Sequence, residues 1–99
     1  MVDVPNVTNV DRELMLAAYG TSALLAPAGL CIVIVPEPEA WILTGSTRSE
    51  TLVTRALSCG AQVRAFLRGA AIYALGGDIA DLDPIERDGY LFASMGDWS

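Results

Sequence analysis

The stretch Leu30–Val35, "LCIVIV", constrains this chain more than any other. It follows Gly29 and is stopped by Pro36. A run this short, apolar at every position and bounded by turn residues, reads as a strand. Apolar side chains on both faces are the mark of a strand covered on both sides, commonly in a parallel sheet. In a parallel sheet, the residues just past Val35 would lie at the crevice where ligands bind. In a hairpin they would form only a turn. The segment Pro36-Glu37-Pro38-Glu39 fits both, and Ala40–Thr44 reads either as a return strand or as one helical turn.

The flanking elements follow from spacing and caps. Val10, Leu14, Ala18, Thr21 and Leu25 recur at helical intervals, so a helix is expected from Asn9 or Asp11, ended by Pro27 and Gly29. Residues 1–9 are expected to be extended. Thr47 and Glu50 match a capping box, predicting a second helix from Thr47 to Gly60. Ala61–Leu67 then reads as a strand, with Val63, Ala65 and Leu67 on one face and Gln62, Arg64 and Phe66 on the other. Strand, helix and strand in this order predict a right-handed crossover. Ala70–Leu75 reads as a short helix closed by Gly76 and Gly77, Asp78–Asp88 as a polar, turn-rich segment, and Tyr90–Met95 as a last strand. The expected fold is one α/β domain over residues 1–99. It is a small three-layer arrangement with a three- to five-stranded, at least partly parallel sheet and helices on its faces.

Charge and composition exclude several functions. The net charge is −6, with no lysine and no histidine among 99 residues, so there is no basic patch for nucleic acid. Histidine-based nucleophile pairs, common zinc sites and Schiff-base chemistry have no residues to use. No targeting segment is expected at Met1–Asn9, no apolar run is long enough for a membrane, and a cytoplasmic location is the default. Two cysteines do not make a disulfide framework. The hydrophobic fraction, 53%, predicts apolar surface beyond the core and so an oligomer or a protein partner.

Candidate sites are few. Cys59 is a weak catalytic candidate because the expected helix ends there, where the dipole disfavours a thiolate; Cys31 reads as packing. Ser46, Thr47 and Arg48, at an expected helix start, form an anion-binding candidate. Glu37 and Glu39 read as crevice carboxylates, as a solvated turn or, in an oligomer, as interface residues. Arg64, Phe66 and Arg68, on one face of a strand, read as a contact surface. Trp41, Tyr73, Tyr90 and Trp98 read as interface anchors or core. The acidic residues from Asp78 to Asp88 lack the spacing of a calcium loop, and no metal or cofactor is expected.

A helix, "LCIVIV", a break, "AWILTGSTRSETLVTRAL", "QVRAFL" and a tail ending near a tryptophan resemble the DsrH/TusB-like branch of the DsrE/DsrF/DsrH sulfur-relay superfamily, over residues 9–68. The family's break is usually Asp-Gly, where this chain has Pro36-Glu37-Pro38-Glu39. Some members carry a cysteine in the first helix, where this chain has Gly20-Thr21-Ser22, and Cys31 and Cys59 fall elsewhere. The resemblance therefore implies a non-catalytic or divergent relay subunit that completes an oligomer and faces a thiol-bearing partner. The alternative is a small acidic interaction or inhibitor protein, phage-encoded for example, that covers a basic protein surface. A binder of small anions ranks third and an enzyme last.

Overall fold

The structure, a computed structural model, describes residues 9–78 and 80–98. Helix α1 spans Asn9–Leu25 and is followed by a short 3-10 turn, Ala26–Ala28. Gly29 ends it with φ 79°, a left-handed conformation that favours glycine. Leu14, Ala18, Thr21 and Leu25 are buried, as their spacing predicts. The side chain of Val10 and the expected extension before residue 9 lie outside the described residues.

Strands β1 (Cys31–Pro36), β2 (Trp41–Ser46) and β3 (Thr51–Leu57) follow, then helices α2 (Gly60–Ala74) and α3 (Pro84–Ser94). The sheet has the order β1-β2-β3, and both pairings are antiparallel. The parallel sheet, the crossover and the three-layer arrangement expected from the sequence are therefore overturned. β1 alternates exposed and buried residues, so only one side of the sheet is covered by helices. Ile32 and Ile34 face the helices, whereas Val33 and Val35 are 52% and 46% exposed. An apolar run bounded by turns identifies a strand but not how many of its faces are covered.

Three segments change type. Thr47 does not cap a helix. Its Oγ1 accepts the N–H groups of Ser49 (3.2 Å) and Glu50 (3.1 Å), and its own N–H donates to the Glu50 carbonyl (2.8 Å), closing the β2–β3 turn. A threonine hydroxyl satisfies backbone donors alike in a cap and in such a turn. The following Thr51, Val53 and Thr54 are β-branched and favour a strand.

Residues 61–67, expected as a strand, belong to α2. Val63, Phe66, Leu67 and Ala70 are buried there, which is helical spacing rather than alternation. Tyr90–Met95, expected as a strand, is helical through Ser94. α3 begins with the chain's true capping box. Asp83 Oδ1 accepts the Glu86 N–H at 2.9 Å, Glu86 Oε1 accepts the Asp83 N–H at 3.1 Å, and Pro84 sits in the first turn.

The core lies between the sheet and the helices, with Phe66, Phe92, Leu14, Leu25, Leu43 and Val63 fully buried. Glycines set the closest approaches. A Cβ on Gly69 would strike the Glu86 carbonyl, and one on Gly89 would strike the Phe66 carbonyl, so α2 and α3 cross backbone to backbone. A Cβ on Gly45 would lie 2.5 Å from the Phe92 ring, which packs on β2 at that point.

Candidate functional site

The register decides which side chains share a face. Ile34 pairs with Leu43 and Leu43 with Arg55, and this set faces the helices. On the opposite face, Val35, Ile42 and Ala56 form one row across the three strands, and Val33, Thr44 and Thr54 form the next. Cys31 and Ser46 continue it, with Sγ and Oγ 3.6 Å apart. None of these side chains is charged, and no described helix covers them. An antiparallel sheet tolerates one wet face, but the usual outward residues are polar and charged. Here the outward rows carry valine, isoleucine, alanine and uncharged hydroxyls.

Each edge of the sheet carries features that disfavour strand addition. The Ile32 N–H donates to Ser22 Oγ at 2.9 Å, and that hydroxyl donates to the Ile32 carbonyl at 3.0 Å, so α1 takes the outward backbone groups of Ile32 on the β1 edge. Pro36, the last residue of β1, has no N–H. At the start of β3 the register shifts between Gly45 and Ser46 and leaves Leu52 without a partner. Past its end, the Ser58 N–H is taken by Gln62 Oε1 at 2.8 Å. Bulges, proline and side-chain caps are the usual means of keeping an edge from pairing.

The sequence candidates are dispersed by this fold. Glu37 and Glu39 lie exposed on the β1–β2 turn, closed by the Glu37 N–H to the Ala40 carbonyl at 2.8 Å. The hairpin alternative is the correct one, so the crevice expected at the end of a parallel strand does not form. A cleft of about 290 Å³ beside this turn is lined by Asp11, Pro36, Glu37, Pro38 and Trp41. Ser46, Thr47 and Arg48 lie at a turn between strands. The helix N-terminus that motivated an anion site does not exist, and the Thr47 hydroxyl already serves Ser49 and Glu50.

Phe66 is fully buried, because a helix turns it away from Arg64 and Arg68. The shared contact face of these three residues is therefore corrected. Arg64 pairs with Glu13 at 3.4 Å and Arg68 with Glu86 at 2.9 Å. The acidic segment is likewise consumed by structure: Asp83 caps α3, buried Glu86 meets Arg68, and Asp88 pairs with Arg55 at 3.3 Å. No cluster among the described residues has the ligands to hold a metal ion.

Trp41 lies in the core, while Tyr73, Tyr90 and Trp98 pack on one another. Both cysteines are exposed, so Cys31 is not a packing residue. Cys59 occupies the N-cap position of α2, the start of a helix and not the C-terminal end expected, and its carbonyl accepts the Gln62 and Val63 N–H groups.

The open face was the feature hardest to see beforehand. Its signal in the sequence is "CIVIV" without polar alternation, a pattern that fits coverage by helices on both sides equally well. No protein-family model, curated protein or solved structure matches this chain. The strand expected at 61–67 from the sulfur-relay resemblance is helical, so the parallel pair it implied with 30–35 is absent. Among the described residues, no helix is long and apolar enough to cross a membrane.

Proposed function

We propose that the protein is a non-catalytic binding domain whose open sheet face receives another protein chain. One observation carries this reading: the outward rows Val33–Thr44–Thr54 and Val35–Ile42–Ala56 are free of charge. A sheet face of this composition gains by leaving water, and its hydroxyls can still bond at a contact. The narrower role, a subunit of a sulfur-relay assembly, draws on the sequence resemblance alone and predicts a thiol-bearing partner.

Thr44→Lys tests the site. Thr44 lies at the centre of the face, between Val33 and Thr54. A lysine there reaches solvent in the free domain but puts a charge inside any contact. Wild-type and variant protein are used to recover partners from extract, which are then identified. A defined partner held by the wild type and lost by Thr44→Lys is the expected result. A partner held equally by both moves binding off this face and overturns the reading.

A further inference from the structure

We infer that the cleft beside the β1–β2 turn is a binding site separate from the open face, and that it takes the basic side chain of an arginine or lysine residue together with that residue's backbone carbonyl. The cleft, about 290 Å³, lies between the first turn of α1 and the β1–β2 turn, and Asp11, Pro36, Glu37, Pro38 and Trp41 line it. Trp41 is an inward residue of β2, like Leu43, so the cleft belongs to the helix side of the sheet.

The first feature that sets the ligand is an idle donor. Trp98 gives its indole N–H to the Ala93 carbonyl at 2.6 Å, whereas the Trp41 N–H has no acceptor among the described residues. Trp41 is only 8% exposed, yet no buried side-chain nitrogen or oxygen among the described residues lacks a partner. The Trp41 N–H therefore reaches solvent, and the solvent that Trp41 borders is the cleft. A buried tryptophan usually finds a partner for its N–H. Indole only donates, so a ligand that satisfies it must bring an acceptor such as a carbonyl oxygen.

The second feature is charge. Two acids line the cleft and no described basic residue does. Glu37 is exposed and leads, while Asp11, already engaged within the chain, adds charge rather than a free oxygen. The start of α1 contributes about half a positive charge nearby, which two carboxylates outweigh. The net charge of −6 extends the attraction for a cation. The two prolines and the indole offer an apolar wall, against which the stem of an arginine or lysine lies while its head stays at the acids. No cluster among the described residues has the ligands for a metal ion. A bare organic cation would use the acids and leave the indole idle, and a neutral amide would do the reverse. A basic residue in peptide linkage serves both.

The probe is N-acetylarginine methylamide, titrated into the isotope-labelled full chain to about 50 mM, a range that spans millimolar dissociation constants. The readout is the indole N–H signals of Trp41 and Trp98 by NMR. The Trp41 signal is expected to move to saturation while that of Trp98 stays. The citrulline analogue, which keeps the carbonyl and loses the charge, and agmatine, which keeps the charge and has no carbonyl, each bind at least about threefold more weakly. Glu37→Gln weakens binding about threefold at low salt, the size of an exposed charge pair. Glu50→Gln, the same change of charge on the β2–β3 turn, leaves it unchanged, and so does Thr44→Lys on the open face. Circular dichroism confirms that each variant is folded. A Trp41 signal that does not move overturns the site, as does binding indifferent to Glu37→Gln or equal for the citrulline analogue. Agmatine bound as tightly as the arginine probe overturns the assignment to a residue in peptide linkage.

Discussion

Glycine carries two opposite costs in this chain. Gly89 and Gly69 lie where α2 and α3 touch, and a methyl group at either would meet carbonyl oxygen of the facing helix. Backbone cannot yield as a side chain tip can. Gly89→Ala is expected to destabilise by about 3 kcal/mol or more, the upper end for overpacking, measured by urea unfolding. Gly20 sits inside α1 with no neighbour near the place of a Cβ. There only the entropic disadvantage of glycine remains, so Gly20→Ala is expected to stabilise by about 0.5–1 kcal/mol. The sequence treats these residues alike. Only the helix crossing distinguishes them.

At the level of the element, capping residues hold the boundaries. Asp83 and Glu86 close the start of α3 reciprocally, and Asp83→Ala is expected to cost about 1 kcal/mol in thermal or urea unfolding. Ser22 has a larger task, because one hydroxyl serves both the N–H and the carbonyl of Ile32. Ser22→Ala leaves both groups without that partner in a partly buried place. The expected loss is about 1–3 kcal/mol, together with faster amide exchange at Ile32. The variant also uncovers the β1 edge, so it should aggregate sooner than wild type on warming.

At the scale of the molecule, a helical layer covers one face of a three-stranded antiparallel sheet, and among the described residues no helix lies over the other. Thr44 lies on the face opposite the buried Leu43 and Trp41, so Thr44→Lys leaves the core side chains untouched. Its unfolding midpoint should therefore stay within about 0.5 kcal/mol of wild type even though association is lost. That pairing of results, binding lost and stability kept, separates a contact surface from a structural one.

The sequence by itself determined the local features that sterics and polarity impose within a few residues. α1 and its stop at Pro27 and Gly29 were legible, as were β1 and a break at Pro36, because helical spacing, proline and glycine act without distant partners. The site is hardly legible: the sequence leaves Glu37 and Glu39 open between a turn and a crevice, and strand alternation over 61–67 puts Phe66 on a surface with Arg64 and Arg68. Tertiary structure decided the rest. Thr47 and Asp83 both match a cap three residues before a glutamate, yet only Asp83 has a helix after it, one whose packing against α2 buries Gly89, Phe92 and Ala93. Val63, Ala65 and Leu67 alternate as a strand would, but Val63, Phe66, Leu67 and Ala70 close a helical stripe that the core can use. Short segments carry both periods, and the energy that chooses between them comes from burial against chain far away in sequence. For the same reason a run of valine and isoleucine could not reveal that one of its faces would be left open.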